Sequence, residues 1–140
     1  MNEQQIRNIV RDVLKEYVSM SGLRSVERHA DSMFIPKGVD VEFSQHFIDR
    51  LNDPRNKEEI TTQELKDLFT KLYIKYGEKI PNFRKGTHAL ITDVNTNINI
   101  PFELKWDKDK KMFDMYNTTI LRTPKFFVSG SQAPHMKLKV

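Results

Sequence analysis

An α+β fold, with helices laid on one side of a mostly antiparallel sheet, is what the sequence predicts. Three observations carry that expectation. A T-x-x-E capping box opens a long amphipathic stretch in "ITTQELKDLFTKLYIKYG". The second half alternates apolar and polar residues with the two-residue period of strands, most clearly in "NINIPFELKW". The 140 residues, 38% hydrophobic and 30% charged, suffice for one domain with its own core.

The elements follow in order. Ile6, Ile9, Val10, Val13, Leu14 and Tyr17 recur at three- and four-residue spacing, so an amphipathic helix is expected over 3–17. "SMSGLRS" at 19–25 reads as a Ser/Gly linker, and "VERHADSMFIP" as loop or short helix. Val39, Val41 and Phe43 alternate with polar residues as a short strand. Ser44 stands at an N-cap position before a helix over 45–52, which "NDPRN" ends, because the residue before a proline avoids helical angles. In the next helix Leu65, Leu68, Phe69, Leu72, Tyr73 and Tyr76 form one core stripe, closed by Gly77. Strands are expected at 87–94, at 97–106 with Pro101 marking an edge or a bulge, and at 112–122 after the charged turn "DKDKK". A further short strand is expected in "KFFVSG" (125–130). The expected division is an appended helix (1–18), a linker (19–37), a β-α-α-β-β-β domain (38–130), and an extended, mobile tail (131–140).

Composition narrows the function classes. No apolar run approaches the roughly 20 residues that span a bilayer, so no membrane partner is expected. Charges interrupt the opening "MNEQQIRNIVRDVLKEY" throughout, unlike a secretory signal. Without cysteine there are no disulfides and no thiolate metal site. The net charge of +4 is unevenly spread. Residues 1–100 hold 15 basic and 15 acidic side chains, whereas 101–140 hold 8 and 4. A basic C-terminal third favours a polyanion such as the phosphate backbone of RNA or DNA.

No phosphate-cradling glycine loop is present, and the four histidines lack metal-ligand spacing, so no cofactor and no metal are expected. What remains is a set of His, Arg, Lys and Thr. His46 and Arg50, four apart, share one helix face. Thr118 and Arg122 have the same parity on the last long strand, so both are expected on one sheet face. Lys105 and Tyr116 lie on neighbouring strands. Metal-free RNA cleavage needs one group to take the 2'-hydroxyl proton, one to protonate the leaving oxygen, and guanidiniums on the phosphorane. His46, Arg50, Thr118 and Arg122 are the candidate catalytic set. Arg55, Lys105, Tyr116 and Lys125 are the candidate nucleic-acid contacts. The alternative is that His46 lies on a solvated face, Arg50 in a helix salt bridge, and Thr118 in a strand for its propensity alone.

"HFIDRLNDPRN…ITTQEL" resembles the H-F-x-x-R-x-x-x-R, then I-T-x-x-E-L, segment of small RelE-like and BrnT-like toxin-related proteins. Thr118 and Arg122 match the T-x-x-x-R pattern of their late strand. Uncharacterised proteins of large tailed marine phages (bacteriophages) show a similar "INIPF-x-L-x-W-D" strand. The resemblance spans roughly residues 38–128. It implies a RelE-like, barnase/RelE-type fold, a nucleic-acid-binding domain, and metal-independent endoribonuclease activity in members that keep their catalytic residues. The alternative is a virion structural or internal, packaged protein using the same fold as a docking module without catalysis.

The N-terminal helix has no counterpart in the minimal toxins. "LKE" at Leu14–Glu16 is similar to the L-x-E sites that prohead proteases cut. Other virion proteins, or a host protein, are the partners implied for helix 3–17. The implied location is the host cytoplasm or the virion.

Overall fold

The computed structural model describes residues 2–56, 58–126 and 134–140, with the backbone alone between 8 and 20. Among the described residues, three α-helices, α1 (Glu3–Phe34), α2 (Gln45–Leu51) and α3 (Thr62–Tyr76), accompany six strands: β1 (Val39–Phe43), β2 (His88–Thr92), β3 (Ile98–Asp107), β4 (Met112–Asn117), β5 (Leu121–Arg122) and β6 (Met136–Lys139). The fold is α+β with one open sheet, in the order β1-β4-β3-β2-β6. The sheet is mixed, not mostly antiparallel. β1 runs parallel to β4 and β6 parallel to β2, while β3 opposes β2, β4 and β5.

The Ser/Gly stretch does not break the first helix, which runs unbroken through 19–34. At its start Asn2 accepts from the Gln5 N–H while the Gln5 side chain accepts from Asn2 N–H, a reciprocal cap. Towards its end Leu23, Val26, Ala30 and Phe34 recur at helical spacing and are buried. That burial outweighs the roughly 1 kcal/mol disadvantage of one glycine in a helix. Residues 23–34 are therefore core, not linker. Phe34 meets the edge of Tyr73 on α3 at 5.5 Å, and His29 Nε2 lies 2.8 Å from Thr70 Oγ1. Asp31 Oδ1 accepts the Val41 N–H at 2.7 Å, so the helix also covers the outer edge of β1. The side chains of Ile9 to Tyr17, on which the amphipathic expectation rests, lie outside the described residues. Gly38 turns the chain into β1 at φ 83°, a left-handed conformation open to glycine.

Thr61 and Glu64 form the reciprocal cap of α3, and Leu65, Leu68, Phe69 and Leu72 are buried. They face Val39, Val41, Met115, Phe102, Ile100 and Ile91, the alternating residues of one sheet side. The other side carries Asp40, Glu42, Asp114, Tyr116, Glu103 and His88.

Within the expected tail, Met136–Lys139 form the edge strand β6. Met136 and Leu138 continue the core face opposite Ala89 and Ile91, and Leu138 is buried. Of the strand expected at 125–130, residues 127–130 lie outside the described residues.

β4 and β5 are one strand broken by a bulge. Asn117 opposes Phe102, yet Leu121 opposes Asn99 and Arg122 opposes Ile98, so residues 118–120 face only Ile100 and Pro101. Pro101 has no N–H to give the ladder, and the ladder fails there.

Candidate functional site

Ser44 fixes the start of α2. Its Oγ accepts the Phe47 N–H at 2.9 Å and donates to the Thr118 carbonyl at 2.8 Å. Its own N–H donates to the Asn117 carbonyl at 3.0 Å. These bonds tie α2, two residues before His46, to the bulge that follows β4. A pocket of about 200 Å³ opens at this junction, lined by His46, Thr118, Thr119, Pro101, His88 and Pro134, with Ala89 and Phe102 behind them. This lies below the roughly 300–1,000 Å³ of sites that enclose a drug-sized ligand.

His46 is exposed and accepts the Arg50 Nε–H at 3.3 Å, so its Nε2 carries no proton in this arrangement. Arg50 Nη1 pairs with Asp53 at 2.7 Å, and Arg55 Nη2 approaches the same carboxylate at 3.1 Å. The Arg55 backbone N–H, then the two guanidiniums, hold the Asp53 carboxyl well below the usual carboxylate range. Two guanidiniums share the one carboxylate of Asp53, while Asp49 on the same helix accepts from the Gln45 side chain.

Across the pocket, His88 occupies the first position of β2, opposite Glu103. Its Nε2 stands 3.8 Å from Glu103 Oε1. The His88 backbone N–H donates to His135 Nδ1 at 3.2 Å, the His135 N–H returns to the His88 carbonyl at 2.7 Å, and the rings meet edge to face.

His46, Arg50 and Thr118 therefore meet at one place, and Arg122 does not join them. Equal parity puts Thr118 and Arg122 on one face only in an unbroken strand. The extra residue in the bulge turns Arg122 to the core side, opposite Ile98, while Thr118 stays beside Pro101. The Arg122 guanidinium, with only 12% of its side chain exposed, donates to the Thr96 and Glu59 carbonyls and pairs with Glu64 at 2.7 Å. It joins α3, β5 and the β2–β3 turn.

Among the candidate contacts, Lys105 stands over the Tyr116 ring at 4.4 Å on the sheet side that also bears His88. Arg55 and Lys125 are exposed. Sequence reasoning missed His88 and Thr119. The alternation of His88, Leu90 and Thr92 against Ala89 and Ile91 was the available signal for His88. Thr119 enters through the bulge, which strand periodicity does not reveal.

Among the described residues, Asp40, Glu42 and Asp114 bring three carboxylates within reach of one cation. The Lys110 ammonium already stands there, 2.7 Å from both Asp40 and Asp114, and these bonds push its pKa upward. One ammonium offsets only one of the three charges, and burial together with the Asp114 and Asp40 carboxylates raises the Glu42 pKa.

Comparison with protein-family models, with curated protein sequences and with solved structures finds no match to this chain.

Proposed function

We propose that this chain is a RelE-like nucleic-acid-binding domain that cleaves RNA without a metal ion. The observation that carries the reading is that His46 shares one small pocket with Thr118 and a second histidine, with the Arg50 guanidinium on His46 itself. Imidazoles suit both proton transfers at neutral pH. A guanidinium suits the charge that builds on phosphorus. The α+β fold, with β1-α2-α3-β2-β3-β4 in that order, is compatible with this reading.

The test is incubation of the full chain with single-stranded RNA in EDTA. Cleavage to 2',3'-cyclic phosphate ends is expected. His46→Ala lowers the rate about 10²–10⁴-fold, the usual contribution of general acid–base catalysis, and leaves binding nearly intact. Cleavage that survives this change, or that needs a divalent ion, removes the mechanism. Absence of nucleic-acid binding at low salt removes the reading.

A second reading is favoured by the first turns of α1. Asn2–Arg7 are exposed and Ile6 keeps 49% of its surface in solvent. These turns suit a docking module for a virion or host protein, as the phage resemblance implies. Co-purification with virus particles, without RNase activity, would favour it.

A further inference from the structure

We infer that His88 is the general acid of this pocket, with the Glu103 carboxylate within ion-pair reach of its ring, and that His46 is the general base, so the substrate class is RNA carrying a free 2'-hydroxyl. The inference rests on the cleavage reading above and assigns its two proton-transfer roles.

The two histidines have opposite neighbours. A guanidinium N–H donates to His46 Nε2, so that nitrogen presents a lone pair, which a base requires. His88 Nε2 lies 3.8 Å from the Glu103 carboxylate, within ion-pair reach and beyond a hydrogen bond, so Glu103 attracts the ring whenever it carries the proton that an acid delivers. The β2–β3 register and the paired backbone bonds to His135 hold the His88 backbone from both sides. Glu103 acts through His88 and is a positioning residue.

The step balances as follows. The 2'-oxygen attacks phosphorus as its proton passes to His46 Nε2. The Arg50 Nε–H, released from His46, turns to a non-bridging phosphoryl oxygen. The P–O5' bond breaks, and the 5'-oxygen takes the proton of His88. The products are a 2',3'-cyclic phosphate and a 5'-hydroxyl, with His46 protonated and His88 neutral. Exchange of these protons with water restores the starting state. A 2'-deoxy substrate has no nucleophile and is bound without being cut.

The experiment compares two substrates on the full chain: a dinucleoside monophosphate, and a ribonucleoside 3'-(4-nitrophenyl phosphate), whose leaving group departs without a proton. His88→Ala is expected to lose about 10²–10⁴-fold on the first and less than about tenfold on the second. His46→Ala is expected to lose on both. Glu103→Ala should lower kcat on the dinucleotide while sparing its KM and the nitrophenyl ester. His88→Asn, which keeps the side-chain size, replaces His88→Ala if the latter does not fold. Equal losses on both substrates, or none on either, overturn the acid assignment while the cleavage reading stands. A wild-type chain that cuts neither substrate overturns both.

Discussion

The Thr118 N–H donates to the Pro101 carbonyl at 3.0 Å, and Pro101 has no N–H to return. In a regular antiparallel pair the Thr118 carbonyl would receive that return bond. Here it accepts from the Ser44 hydroxyl at 2.8 Å. A serine before a helix thus repairs the gap that a proline leaves in a central strand, and it places His46 beside the bulge.

Ser44→Ala should therefore cost about 1–3 kcal/mol, combining a lost helix cap with an unpaired carbonyl at Thr118. Urea unfolding measures it. A loss below roughly 0.5 kcal/mol, the range of ordinary surface changes, would mean water replaces the hydroxyl at both ends.

Arg122→Ala should destabilise the fold by about 2–4 kcal/mol, somewhat under the cost of breaking a fully buried ion pair because Glu64 is partly solvated. RNA affinity, measured where the variant remains folded, should be unchanged. A weaker complex with a shallower salt dependence would instead show that Arg122 contacts phosphate.

The contrast between Arg50 and Arg122 shows what the sequence made legible. Four-residue spacing on a helix puts His46 and Arg50 together whatever the surroundings, and the two do touch. Four-residue spacing on a strand depends on every residue between. One added residue opposite Pro101 reverses the face, and only the cross-strand register reveals it. The capping box of α3 and the alternation of β3 are local patterns, and both were readable. The parallel pairing of β1 with β4, and of β6 with β2, joins segments far apart in the chain and leaves no local trace. "SMSGLRS" was misleading because serine and glycine disfavour a helix by tenths of a kcal/mol to about 1 kcal/mol each. Burying Leu23 and Val26 on the same helix contributes more.

Phe34→Ala tests that last point. Phe34 is fully buried against Tyr73, so its truncation should cost about 3–5 kcal/mol. A folded domain of undiminished stability after this change, read from a thermal melt, would restore the view that the first helix is an appendage.

The final prediction concerns pH. Burial, then the neighbouring Asp40 and Glu27 carboxylates, push the Asp31 pKa from 3.8 up to about 7, against the opposing pull of the Val41 N–H. The folded-state value lies above the unfolded one, so the folded chain binds the extra proton. The stability this supplies is complete below about pH 4 and is lost as pH rises through 7. Above pH 7 Asp31 is a carboxylate facing Asp40 and Glu27, at the junction of α1 with the β1 edge. Asp31→Asn keeps an oxygen for the Val41 N–H and gives Asp40 a donor without adding charge. The variant should match the wild type at pH 4 and exceed it at pH 8. The gain at pH 8 should be roughly 1–2 kcal/mol, well under the face value of the shift because solvent screens a partly exposed group. Urea unfolding of both proteins between pH 4 and 8.5 gives the difference curve, in which the titrations of the other carboxylates cancel. A gain already complete at pH 4, or a variant less stable at pH 8, would show that Asp31 stays ionised in the folded chain and that its charge holds the helix to the strand.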